Sequence, residues 1–120
     1  MHYLIKIEPR PQGLPRFTRS GHTYKDPKDT KWRAEFLALM PKPKDLLLGA
    51  LKLEVEFRFK KPKTVKRDLH TVRPDLDNCC KAVLDALNNV LWNDDAQIIE
   101  IVARKVYHET PSIYFEVTEV

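Results

Sequence analysis

Between Arg73 and Ile99 the chain reads RPDLDNCCKAVLDALNNVLWNDDAQII, and no other stretch restricts its fold as much. Leu76, Cys80, Val83, Leu84, Leu87 and Leu91 recur at helical spacing, which predicts a helix from about Asp77 to Leu91. Asp75 with Asp77, and Asp94 with Asp95, bracket it. One aspartate at a helix start accepts orphan N–H groups and complements the dipole, but capping does not account for four. Carboxylates gathered without soft competitors are what a hard divalent cation such as Mg²⁺ takes, together with waters and substrate phosphates. The segment therefore points to phosphate chemistry.

Asp75 and Asp77 are two residues apart. Such positions diverge inside a helix and share a side in an extended stretch. Both can serve one cation only if residues 75–77 are extended or in a capping geometry, so the helix should start near Asp77. Pro74 disfavours a helical Arg73, in keeping with a loop that leads into this turn.

Charge is divided unevenly along the 120 residues. Residues 1–74 hold 18 Lys/Arg against 8 Asp/Glu, and residues 75–120 hold 3 against 9, giving +10 and −6 within a net +4. A basic half beside an acidic half suits phosphate attraction next to cation binding; the plainer alternative is solvated charge that happens to cluster. A hydrophobic content of 42% with 32% charged residues fits one globular domain over residues 1–120. Cys79 and Cys80 are adjacent, a spacing that fits neither a disulfide framework nor a metal site, and read as packing residues. His2, His22, His70 and His108 are scattered, which disfavours zinc and histidine-activated nucleophiles. No apolar run reaches membrane-spanning length and the N-terminus lacks a signal-peptide pattern, so a cytoplasmic protein is expected.

Tyr3, Ile5 and Ile7 alternate with polar neighbours, predicting a first strand over residues 2–8 that ends at Pro9. The following PRPQGLPRFTRSGHTYKD carries Arg10, Arg16, Arg19 and Lys25 among Phe17 and Tyr24. A loop this long, basic and aromatic favours nucleic-acid contact over slack. Asp26-Pro27 supplies an N-cap and a proline at the first helical position, after which Trp32, Phe36, Leu39 and Met40 trace one face until Pro41 and Pro43. Leu51, Leu53, Val55, Phe57 and Phe59 alternate with charged residues in a half-buried strand. Lys60, Lys61, Lys63, Lys66, Arg67 and Arg73 then precede the acidic segment, where they read as a phosphate-guiding loop. Residues 97–107 read as a strand buried on much of both faces, and residues 112–118 as its hairpin partner. The order β-α-β-α-β-β predicts an α+β fold, with both helices on one face of a mixed, largely antiparallel sheet.

Pro74-Asp75-Leu76-Asp77-Asn78, Lys81, Asp85-Ala86-Leu87 and Asp94-Asp95-Ala96-Gln97-Ile98 together resemble the signature of the RusA-type Holliday junction resolvases, endonucleases of about this length. The resemblance implies a RusA-like fold and hydrolysis of DNA phosphodiesters at four-way junctions in recombination and repair. It adds Asp95 to Asp75 and Asp77 as ligands of Mg²⁺, with Mn²⁺ as a substitute and Asp94 in reserve, and makes Lys81 the group that stabilises the pentacovalent phosphate or the attacking water. Without it, Lys81 would be an i,i+4 ion pair on the stripe shared by Asp77 and Asp85, and Asp85 its structural partner. Asn78 suits either a ligand hydrogen bond or closure of the turn. The DNA contacts expected are Arg10, Arg16, Arg19, Lys61, Lys63, Lys66, Arg67 and Arg73.

Helix length adds an expectation about assembly. A helix from Asp77 to Leu91 spans about 22 Å, and Trp92 to Asp95 can return at most about 14 Å. Asp95 should then miss the Asp75–Asp77 pair of its own chain and complete that of a mate in a two-fold homodimer. Cys79, Ala82 and Ala86 form a small-residue stripe that would permit close helix approach, or else ordinary packing on the sheet. Two other readings stand beside the nuclease: a non-catalytic junction-binding module on the same scaffold, and an unrelated acidic-site phosphatase or ribonuclease.

Overall fold

Strand alternation and two helices, each preceded by an aspartate, build the architecture expected. The computed structural model describes residues 1–13, 16–17, 19–24 and 26–120, without the side chains of Arg16, Phe17, Thr23 and Tyr24. Its elements are β1 (His2–Ile5), β2 (Arg16–Phe17), β3 (Thr23–Tyr24), α1 (Pro27–Leu39), β4 (Leu51–Phe59), α2 (Leu76–Leu87), a 3₁₀ turn (Asp95–Gln97), β5 (Ile98–Tyr107) and β6 (Ser112–Glu119). The main sheet has the order β1-β6-β4-β5, antiparallel except for the parallel β4/β5 pair. Within the long basic loop, β2 and β3 pair as a small antiparallel ribbon.

β4 lies centrally, and its five apolar residues are buried while the charged ones between them are half-buried. Alternation of period two puts Leu51, Leu53, Val55, Phe57 and Phe59 on the helix-covered face. Trp32 and Phe36 of α1 stack at 5.2 Å and Phe36 meets Phe115 of β6 at 6.4 Å, which joins helix to sheet. Each such buried side chain contributes roughly 1.5–3 kcal/mol. Asp26 caps α1 as expected, its Oδ1 accepting from Lys28 N at 2.8 Å. Of the face expected on α1, Leu39 is 52% exposed, whereas Trp32, Phe36 and Met40 are buried as expected.

Three expectations are corrected. β6 does not form a hairpin with β5, because residues 108–111 carry the chain across the end of β4, where His108 N donates to Phe59 O at 2.8 Å, and β6 pairs with β4 and β1. β5 is consequently an edge strand, and Ile99, Ile101 and Val102 are 64%, 42% and 38% exposed rather than buried on both faces. α2 ends at Leu87 rather than Leu91, since Asn89 takes φ 65° and its N–H bonds to Trp92 O at 2.7 Å. Leu91 and Trp92 extend the apolar pattern past that break and are fully buried. Of the two readings of Cys79, Ala82 and Ala86, ordinary packing fits, since all three are buried in the chain's own core.

Candidate metal and nucleic-acid site

The acidic pair sits where a loop becomes a helix. Asp75 is the N-cap residue of α2, in extended backbone at φ −70° and ψ 138°, and makes no side-chain cap hydrogen bond. The N-cap carboxylate is normally consumed by the N–H groups of the first turn; here it is left exposed. Asp77 lies in the first turn, also exposed, with Oδ1 accepting from Asn78 N at 2.9 Å. Asn78 in turn accepts, through its backbone carbonyl, from Gln12 N at 3.1 Å, which lays the N-terminal loop against the start of α2. Both carboxylates act on one neighbour: burial first and then the charge of Cys80 push the Cys79 thiol up to about 12, Lys105 pulls it back, and Asp75 and Asp77 add smaller upward pushes. Cys80 is pushed up by burial and by Asp77. Both cysteines behave as the packing residues expected, and Cys79 is buried.

Lys105 escaped the reading of the sequence. In register with Phe57 it lies on the helix-covered side of β5, and its Nζ donates to the carbonyls of Val72 at 2.7 Å and Pro74 at 2.8 Å. A cation at an inward position needs partners, and these fix the end of the basic loop one residue before Asp75. The signal was present: the period that places Ile101, Ala103 and Tyr107 toward the helices places Lys105 with them. The Arg73–Pro74 peptide bond is cis.

Asp94 and Asp95 occupy the far end of α2. Asp94 caps the 3₁₀ turn, its Oδ1 accepting from Ala96 N at 3.3 Å, while Gln97 Oε1 accepts from Asn93 N at 2.9 Å and Asp94 N at 3.0 Å. Gln97 Nε2 donates to Leu47 O at 2.9 Å and Gly49 O at 3.0 Å, locking the turn to the segment before β4. Asp95 is held differently. Burial, a hydrogen bond with the Asp94 carboxyl and the charges of Asp94 and Asp85 raise its pKa, opposed by a hydrogen bond from Asn88. Asn88 is itself positioned by fully buried Trp92, whose Nε1 donates to Asn88 Oδ1 at 2.7 Å. Asp94 is thus occupied as a cap, and Asp95 lies beside like charges that favour its neutral form.

Asp85 consequently belongs with Asp95 and is not the partner expected for Lys81. Among the described residues Lys81 is exposed and joins no ion pair, so the i,i+4 pair does not form. Nor, among them, do three or more His, Cys, Asp or Glu side chains converge as a metal site. With α2 only 12 residues long, about 18 Å, residues 88–94 could in extension bridge back about 25 Å, so reach alone does not separate the pairs. Their separation follows from the compact turn around Trp92, which holds Asp95 beside Asp85 and Asn88.

The basic residues divide into two kinds. Lys63, Lys66, Arg67 and Arg73 are exposed on the loop between β4 and α2. Lys61 pairs with exposed Asp68 at 3.6 Å and lies 5.9 Å from the Tyr107 ring centre. Arg10 bonds Asp29 at 2.7 Å and so fastens the N-terminal loop to α1. Arg19 is exposed in the turn between β2 and β3. The side chain of Arg16 and all of Lys25 lie outside the described residues.

Comparison with known proteins places this arrangement. The chain is 30% identical over 135 residues, 98% of it and 95% of the relative, to the uncharacterized protein YqaN of Bacillus subtilis (strain 168). It is 42% identical over 73 residues to the crossover junction endodeoxyribonuclease rusA of Lactococcus phage r1t, a match covering 58% of this chain and 55% of that protein. A family model described as Endodeoxyribonuclease RusA matches residues 6–118. The chain therefore belongs to the RusA family of endodeoxyribonucleases, and is a nuclease of that family.

Proposed function

We propose that this protein is a Mg²⁺-dependent endonuclease that resolves four-way DNA junctions in recombination and repair, acting as a cytoplasmic homodimer of one domain per chain. The observation that carries the reading is Asp75, a carboxylate at a helix N-cap that caps nothing. Capping was the plain alternative for the acidic residues, and Asp75 does not follow it. RusA-family nucleases generally depend on a divalent metal, and the donors fit one: Asp75 and Asp77 present exposed oxygen ligands without a cationic partner among the described residues. Bound there, Mg²⁺ would polarise the phosphoryl oxygen and lower the pKa of a water. Asp75 and Asp77 hold and orient, Lys81 offers an unpaired ammonium to charge developing on the phosphate, and Lys63, Lys66, Arg67 and Arg73 draw the backbone toward them. The phage relative's name supports the junction as substrate. One continuous core cluster supports a single domain, and no described helix is long and apolar enough to cross a membrane.

The third ligand, Asp95, comes from a second copy in this reading. The dimer rests on the β5 edge, and not on the small-residue stripe of α2. β5 is about 33 Å long, begins three residues after Asp95, and at its other end carries Lys105, bonded to Pro74. Antiparallel pairing of two β5 edges would cover Ile99, Ile101 and Val102 and bring the partner's Asp95 toward Asp75 and Asp77. Purified protein should cut a labelled four-way junction with Mg²⁺ and spare linear duplex and RNA. Equal cutting of all three would remove junction selectivity, and binding without cutting would favour a non-catalytic module.

A further inference from the structure

Beside the acidic pair lies a cleft of about 680 Å³ between the N-terminal loop, α1 and the basic loop, which the catalytic reading leaves unused. It reaches Arg73 and Pro74, the residues leading into Asp75. One wall is aromatic: His70 packs between Phe59 at 4.6 Å and Tyr107 at 4.8 Å, and Trp32, its Nε1 tied to Glu8 O at 2.9 Å, lines the cleft too. Among the described residues Tyr107 Oη is buried without a hydrogen-bond partner, a costly arrangement that a polar ligand can relieve by a small shift of the ring. Lys60 and Arg73 add cations, Arg10 being paired with Asp29, and Glu8 and Glu35 add acceptors.

We infer that this cleft receives one unstacked nucleotide of the bound DNA strand, its base packed against the ring edges of Trp32, His70 and Tyr107 and its phosphate toward Arg73. The inference rests on the DNA-cleaving reading above and gives that reading a recognition subsite. The volume lies in the range of small-ligand pockets. Aromatic side chains beside cations are how single-stranded segments are held without a sequence code. The two glutamates exclude a phosphate from their own side and can accept N–H groups from a base edge. At a four-way junction the strands that exchange are the ones with bases open to unstacking, and the cleft sits next to the carboxylates that would act there.

A junction carrying 5-iododeoxyuridine at positions flanking the crossover, bound to Asp77→Asn protein and irradiated, locates the base directly. Cross-links to Trp32, His70 or Tyr107 are expected. Cross-links confined to the residue 63–67 loop, on junction that is demonstrably bound, overturn the subsite and leave the nuclease reading standing; failure to bind any DNA overturns both. Val72 lines the cleft, is 46% exposed, and uses only its backbone to hold Lys105, so Val72→Trp fills the space without entering the core. That variant should bind the junction about tenfold more weakly. An abasic residue at the cross-linked position should cost the wild type a similar factor and the variant almost nothing further. Independent, multiplying losses would overturn the proposal.

Discussion

Lys105 Nζ lies 2.8 Å from the carbonyl oxygen of Pro74, so a cation on the edge strand fixes the residue that precedes the Asp75 carboxylate. A second bond to Val72 O at 2.7 Å closes the clamp. The sheet thereby sets the end of the basic loop, and the loop end sets where the acidic pair begins.

Lys105→Met should release that clamp. Two charge-assisted bonds in a part-exposed setting are together worth about 1–3 kcal/mol, so the fold should survive while junction cleavage falls at least tenfold. Hydrogen exchange should quicken in residues 72–76 and remain unchanged in β4. Unaltered exchange there would mean that the loop end is held by other contacts.

Asn88→Ala should cost about 1–3 kcal/mol in denaturant unfolding, because it leaves the buried Trp92 Nε1–H without its acceptor. The same change removes the hydrogen bond that favours ionised Asp95. The Asp95 carboxyl should therefore titrate at higher pH in the variant, as read by carbonyl NMR. A shift the other way would separate Asn88 from Asp95.

Much of this was legible beforehand because local patterns and tertiary packing agreed. β4 alternates in sequence and in burial, and Asp26-Pro27 starts α1 where its chemistry requires. The acidic pair at the start of α2 was readable for the same reason. The errors share a cause: apolar spacing reports burial without saying against what. Leu91 and Trp92 continue the helical pattern but are buried by a turn that Asn89 makes. Ile99, Ile101 and Val102 look like core and lie on an open edge. Which strand stands beside β6 depends on where a four-residue connection crosses, and neither candidate partner differs in local pattern. The company of Asp95, namely Asp85 and Asn88, depends on that same compact turn.

Neutralising Lys63, Lys66 and Arg67 together should weaken binding to every DNA form and flatten the slope of log K against log salt by about 0.9 for each lost phosphate contact. Titrations at several salt concentrations measure it. An unchanged slope would return this exposed loop to a merely solvated role.

The thiols offer a check on packing around the acidic pair. Cys79, buried and pushed up to about 12, and Cys80, also raised, should both resist a thiol reagent at pH 8 in the folded protein. Both should react at once in denaturant. Rapid labelling of Cys79 in the native state would mean that α2 is not seated as described.

The central claim is a nuclease site made by Asp75 and Asp77 of one chain and Asp95 of its partner. Asp77→Asn and Asp95→Asn proteins, each inactive alone, should regain junction nicking when mixed under conditions that exchange subunits, because each heterodimer would rebuild one intact site. Subunit exchange verified by mass, with no recovered nicking in Mg²⁺, would contradict it.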